Sequence, residues 1–222
     1  MTAPTTKTSP ALEMGGRAGG PLSAVRSGPA TTATPAPATT AGAGTPHVIG
    51  LDPSLTAAGL ASSRGWTDVV GMPGKRHMTY DERHNRLHEV LNQITNLIPA
   101  DTALVVIEGP SYGSNDPSAF DRAALWWRLY DRLHHREIPV AVVPPSIRML
   151  YATGKGRANK GAIIDAVARR WSAWATGGDD NIADAVVLMA LGRDQLGAPV
   201  APVPAAHRAA LTKVAWPEAV SA

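Results

Sequence analysis

Three carboxylates stand in this sequence where core residues are expected. Asp52 closes the apolar run His47–Leu51 (HVIGL), and Glu108 closes Ala103–Ile107 (ALVVI). Asp184 lies within an apolar series, NIADAVVLMAL, with Asp179 and Asp180 one turn earlier. An unpaired carboxylate is expensive to bury. Asp180 and Asp184 are four residues apart, so on a helix they face the same way. Carboxylates brought together repel, and one holds its proton unless a cation sits among them. Oxygen ligands without thiolate suit a hard ion, Mg²⁺ or Mn²⁺. Two such ions about 3.5–4 Å apart are the usual apparatus for in-line attack of water on a phosphodiester. Plainer roles compete at each position. Asp52-Pro53 also makes a turn, Glu108 before Gly109-Pro110 suits a loop, and Asp179 or Asp180 can cap a helix. The joint order of strand-Asp, strand-Glu and helix-Asp is what points to metal.

Those positions depend on the elements that carry them. The runs His47–Leu51, Ala57–Ser62 and Thr67–Met72 read as three strands, with a turn at Arg64-Gly65. Thr79 and Glu82 have capping-box spacing. Beyond them Leu87, Val90, Leu91, Ile94, Leu97 and Ile98 recur with the period of an amphipathic helix, which Pro99 ends. Ala103–Ile107 reads as a buried strand. Asp116-Pro117 then starts a helix that carries Phe120, Ala124, Trp127 and Leu133 towards His135. Val140–Val143 is a further strand, stopped by Pro144-Pro145. A short helix follows from Ser146, then a Gly-rich loop, then helices over about Asn159–Ala173 and Asp180–Gln195. This order suggests a mixed α/β sheet with helices on both faces. Ligands of such sheets gather outside the carboxyl ends of the strands. If the first and fourth strands are parallel neighbours, Asp52 and Glu108 lie side by side there.

Composition divides the 222-residue chain into three parts. Residues 1–46 hold 37 Ala, Thr, Pro, Gly or Ser, too little apolar surface to offset the entropy of ordering, and read as a disordered tail. No apolar stretch of signal-peptide kind follows the N-terminus. Residues 47–195 have the length of one domain. Residues 196–222, rich again in Ala and Pro, read as a loosely structured tail. The absence of cysteine excludes a disulfide scaffold, a thiolate zinc site and a cysteine nucleophile. No apolar run is long enough to span a membrane. The formal charge of +3 is weakly basic, but it hides a division. Residues 47–195 are neutral overall, yet Arg148–Arg170 holds six basic residues against Asp165 alone. Clustered positive charge of this kind tracks phosphates.

Four segments, IGLDPSLTAAGLA, LVVIEGPSYGS, ATGKGRANKGAI and DDNIADAVVLMAL, together resemble the RuvC-like Holliday junction resolvases of the ribonuclease H superfamily. They fall in the family order between Val48 and Leu191 and look closest to phage and actinobacterial members. The resemblance implies a ribonuclease H-like α/β fold with a mixed five-stranded sheet. It implies a metal-dependent, structure-selective endodeoxyribonuclease of DNA recombination and repair. Such an enzyme resolves four-way or branched DNA junctions by paired symmetric nicks, with water as nucleophile, leaving 5′-phosphate and 3′-hydroxyl ends. It implies two Mg²⁺ ions per active site, replaceable by Mn²⁺. It implies a homodimer joined through the Trp-bearing helix Pro117–His135, no nucleotide cofactor, no membrane, and a bacterial or phage-infected host cytoplasm.

Residue by residue, Asp52, Glu108 and Asp184 match three members of the family's acidic tetrad. The family usually places an Asp or His three residues before the last Asp, where this chain has Asn181. Asp180 is taken as the fourth ligand, Asn181 as the next candidate and Asp179 as the third. Lys160 matches the lysine beside the scissile phosphate, and Arg148 falls near a second basic position of the family. Lys155 and Arg157 belong to the same basic segment, where Gly154 and Gly156 leave backbone amides open to phosphate. Tyr112 falls close to an aromatic that inserts among unpaired bases at the crossover, where stacking is worth about 1–3 kcal/mol per base. His84 and His88 lack a third ligand and are expected on the surface. Of Trp126 and Trp127, one is expected in the core and the other is open to a partner subunit, while Trp171 and Trp174 suit core packing. Two other readings stand beside the nuclease. One is a non-catalytic junction-binding module with a decayed acid site, which Asn181 favours. The other is an actin-like phosphotransferase, which IGLDPSLT faintly echoes but whose second phosphate loop and adenosine motif are missing.

Overall fold

The computed structural model describes residues 44–110 and 118–220. Five strands form one sheet in the order β3-β2-β1-β4-β5. They are β1 (Val48–Asp52), β2 (Ala58–Ser62), β3 (Trp66–Val70), β4 (Leu104–Glu108) and β5 (Val140–Val143). β1 runs antiparallel to β2, and β2 to β3. β1 is parallel to β4, and β4 to β5. The fold is therefore the mixed five-stranded α/β sheet that the sequence led us to expect.

Alternation along the buried strands divides the core in two. Ile49, Leu51, Val105 and Ile107 face α1 (Tyr80–Asn96) and α2 (Ala119–His135). Val48, Leu104, Val106, Ala141 and Val143 face α3 (Pro145–Thr153), α4 (Lys160–Arg170) and α5 (Asp180–Gln195). The amphipathic stripe Leu87, Val90, Leu91 and Ile94 of α1 is buried as its spacing predicts, and the Thr79–Glu82 capping box is formed. His84 and His88 are exposed on the opposite face.

On α2 one of the two adjacent tryptophans is core and the other exposed, as expected, but the phase of the buried stripe differs from the sequence reading. Phe120 and Trp127 are 78% and 63% exposed, whereas Leu125, Trp126, Leu129 and Leu133 are buried. The buried stripe is set one residue out of phase with Phe120 and Trp127, so the neighbouring Trp126 takes the core position. The helix begins at Ala119, with Ser118 as its N-cap residue. Asp116 and Pro117, read as the helix start, lie outside the described residues.

α5 is buried along most of its length, from Ala183 to Asp194. Its depth is set by glycines opposite it. A Cβ on Gly50 would lie 2.0 Å from the Ala185 carbonyl oxygen, and one on Gly59 would lie 2.1 Å from that of Asn181. These bare positions let the α5 backbone rest directly on β1 and β2. That close approach carries Asp184 down to the sheet.

Two boundaries differ from the sequence reading. α4 stops at Arg170, because Trp171 leaves helical geometry and packs against Tyr151, ring centroids 5.9 Å apart. Residues 196–220 are not a loose tail. They include a one-turn α6 (Ala205–Arg208), and Ala210, Val214 and Val220 join the core. Arg208 pairs at 2.8 Å with the buried Asp194, which also accepts a 3.0 Å hydrogen bond from the Tyr151 hydroxyl. Alanine-rich composition hid this, because small side chains bury little area each yet still fill a groove. No helix among the described residues is long and apolar enough to cross a membrane.

Candidate metal centre

Parallel register places the first two acids. Leu51 is paired with Ile107, so the next residues, Asp52 and Glu108, end adjacent strands side by side. α5 crosses above them and contributes Asp184. One carboxylate oxygen from each of Asp52, Glu108 and Asp184 lies within 4.8 Å of the other two. All three residues are half-buried. The main chain at Glu108 is anchored by Trp126, whose indole Nε1 donates to the Glu108 carbonyl oxygen at 2.9 Å.

The electrostatics are those of crowded anions. Burial, and then the neighbouring Glu108 carboxylate, push the Asp52 pKa up to about 7. Burial also raises Glu108, against the opposing pull of Arg148. The donor set is all oxygen, and its members repel without a cation. It fits a hard divalent ion better than any soft metal.

Arg148 sits differently from the DNA-facing position expected of it. It is 7% exposed, on the first turns of α3 just after β5. Its Nε is 2.6 Å from Glu108 Oε2, and its Nη1 pairs with Asp184 Oδ1. The guanidinium therefore acts as an internal countercharge for two of the three acids. The only trace in the sequence is its position: a basic residue five positions after the end of the strand neighbouring Glu108 sits on a helix that starts at the same sheet edge.

The remaining candidates surround this centre. Asp179 caps α5, its Oδ1 accepting from the Asn181 and Ile182 amides at 2.7 and 3.2 Å. Asn181 turns its side-chain amide onto the same oxygen at 3.1 Å. Asp180 lies outside the three-acid cluster and pairs with Lys160. That hydrogen bond from Lys160 holds the Asp180 carboxyl below the usual range, and Asp180 raises Lys160 in return. The Lys160 side chain is 80% exposed, at the first position of α4 behind the Asn159 cap. Lys155 and Arg157 are exposed on the loop before it. Tyr112 lies outside the described residues. A cleft of about 390 Å³ opens on Asp52 and Glu108, and is walled on its other side by Arg122, Trp126 and Trp127 of α2.

Fold and site define an α/β protein with an acidic, metal-competent centre at the carboxyl edge of a mixed sheet. No family model matches the chain, and no curated protein sequence matches it. Among solved structures it is similar to the Thermus thermophilus RuvC structure, at 15% identity and a TM-score of 0.49 over 71% of this chain and 99% of that one. It is also similar to T. thermophilus RuvC in complex with Holliday junction substrate, at 16% identity and a TM-score of 0.44 over 64% of this chain and 90% of that one.

Proposed function

We propose that this chain is a divalent-metal-dependent endodeoxyribonuclease that cuts branched DNA, four-way junctions included, by paired symmetric nicks. The observation that carries the reading is the meeting of Asp52, Glu108 and Asp184 oxygens within 4.8 Å at one sheet edge. Those residues would hold Mg²⁺ or Mn²⁺, with Asp180 as fourth ligand and Asn181 as the alternative. When bound, the ions supply an activated water and charge neutralisation on the phosphate. The protein's own part is to orient and to neutralise. Lys160, exposed beside Asp180, is suited to meet a phosphate oxygen. Lys155 and Arg157 extend that positive surface along the loop. The exposed Phe120 and Trp127 of α2 are suited to a homodimer contact, which would set two sites across a two-fold axis.

A second reading draws on Arg148. With a guanidinium already neutralising Glu108 and Asp184, and Asn181 in place of an acid, the chain could bind junctions without cutting them. One assay separates the two. A synthetic four-way junction is incubated with the full chain in Mg²⁺, beside Asp52→Asn. The nuclease reading expects symmetric nicks that the variant does not make. Tight binding with no cleavage by the unmodified chain leaves the binding module standing instead.

A further inference from the structure

A second basic surface lies on the other side of the acid cluster, assembled from parts far apart in sequence. The segment 71–79 between β3 and α1 carries Lys75, Arg76 and His77, all exposed. With Arg83 and Arg86 of α1 and Arg122 of α2, they line a groove of about 710 Å³. Among its described lining residues Asp121 is the one carboxylate, against five permanent cations.

Not all of that charge is open to a ligand. Arg83 grips Asp121 through Nε at 2.9 Å and Nη2 at 2.6 Å, so this pair is neutral. Lys75 has Glu82 at 4.0 Å, an exposed pair of small worth. Arg86 is different. It is held by neutral acceptors, the Met72 carbonyl at 2.8 Å and the Thr56 hydroxyl at 3.3 Å, which position the guanidinium without cancelling its charge. Gly74 lies close against it, and a Cβ there would be 3.1 Å from Nη1. The groove thus has one preset guanidinium on its wall, with Lys75 and Arg76 at its rim.

The groove adjoins the cleft of the candidate metal centre at Arg122. Arg122 lines both this groove and the cleft that opens on Asp52 and Glu108. Ser54 and Thr56, which also line the groove, lie within three residues of Pro53. Leu55 and Met78 are the only large apolar residues among its described lining. A protein partner needs buried aromatic or aliphatic anchors, whereas a phosphate backbone needs placed cations.

We infer that this groove seats the phosphodiester backbone of the DNA strand running away from the acid cluster, opposite the Lys155–Lys160 loop. The inference rests on the nuclease reading and adds the path of the strand. Each phosphate contact removed lowers the salt dependence of binding by about 0.9 in log–log slope.

The test is a fluorescence-anisotropy titration of a labelled synthetic four-way junction with the full chain, at several salt concentrations and with chelator present so that no cutting intervenes. Lys75→Ala with Arg76→Ala is compared with Arg64→Ala and Lys213→Ala, which remove equal formal charge. The groove doublet is expected to weaken binding about tenfold and to lower the salt slope by about two. The control doublet is expected to change binding less than threefold. Equal losses in both doublets, or an unchanged slope in the groove doublet, overturn the inference; the second result points to an acidic protein as the groove's occupant. Thermal unfolding confirms that the exposed substitutions leave the fold intact. Cleavage in Mg²⁺ is scored separately. A chain that binds through Lys75 and Arg76 but never cuts keeps the groove and loses the nuclease reading. A chain that cuts while the doublet binds normally does the reverse.

Discussion

Arg148 Nε lies 2.6 Å from Glu108 Oε2, while its Nη1 pairs with Asp184. One guanidinium thus joins the end of β4 to the second turn of α5. A cation at this place relieves the repulsion that the parallel register of β1 and β4 creates. A divalent ion held by the same carboxylates would relieve the same repulsion, so the two positive charges are in competition for Glu108 and Asp184.

Replacing Arg148 by Ala tests that competition. Removing one partner of a buried ion pair leaves uncompensated charge and costs about 3–5 kcal/mol. Metal-free Arg148→Ala is therefore expected to unfold at a clearly lower temperature. Added Mg²⁺ should then stabilise the variant more than it stabilises the unmodified chain, because nothing else balances Glu108 and Asp184. Thermal melts with and without Mg²⁺ check this. An equal Mg²⁺ increment in both proteins would show that arginine and metal do not share their ligands.

Asp52 gives a pH signature with a definite sign. Its folded pKa is raised to about 7 from an ordinary carboxylate value, so the folded state holds the proton more tightly than the unfolded one. The associated stability is fully present below the unfolded pKa and is lost as pH rises through about 7. Metal-free protein should thus lose stability between about pH 4 and pH 7 through this group. Asp52→Asn should flatten that slope and be the more stable form at pH 8. In Mg²⁺ the sign reverses, since ligation needs the ionised carboxylate. Denaturant unfolding across this pH range, with and without metal, measures both slopes.

Much of this centre was legible in the sequence, for a physical reason. Acids that close apolar runs end strands, and once β1 and β4 are parallel neighbours in this register Asp52 and Glu108 meet. Asp184 was legible because a lone carboxylate in an apolar helix demands a partner. Arg148 was misjudged because it was grouped with the basic residues that follow it, and charge alone does not say which member turns inward. The side exposed on α2 was also hidden. Phe120, Trp126 and Trp127 are all aromatic, and only the phase set by Leu125, Leu129 and Leu133 decides which of them is buried. The groove of Lys75, Arg86 and Arg122 is spread over three elements and left no local trace.

Gly50 is where packing on the sheet sets the position of the acid cluster. A methyl group there would fall 2.0 Å from the Ala185 carbonyl and 2.4 Å from the Met189 amide nitrogen, both backbone atoms that no side-chain rotation can move aside. Gly50→Ala is expected to cost about 3 kcal/mol or more. Gly65, at the β2–β3 turn, has no atom within 4 Å of such a methyl, but its φ of +91° makes Ala there a matter of backbone strain alone. If α5 rides up to escape the clash, Asp184 leaves Asp52 and Glu108. The Gly50 variant should then lose Mg²⁺-induced stabilisation even at temperatures where it stays folded, whereas Gly65→Ala should keep it.

The fourth ligand is decided by which side chain can leave its present partner. Asn181 is tied to the Asp179 oxygen that also caps α5, so using its amide for metal disturbs the helix start. Asp180 pairs with Lys160, and that exposed lysine can turn to a phosphate instead. Asp180→Asn is therefore expected to raise the Mg²⁺ concentration needed for half-maximal cleavage about tenfold or more, since a charged ligand is lost. Asn181→Ala should shift it far less. Lys160→Ala should leave stability almost unchanged, as an exposed pair contributes little. It should nevertheless lower the cleavage rate at saturating Mg²⁺ by about a hundredfold, the scale of losing one charge-stabilising donor. Cleavage titrations over Mg²⁺ with the three variants read all of this at once. A larger shift for Asn181→Ala than for Asp180→Asn would assign the fourth position to the amide.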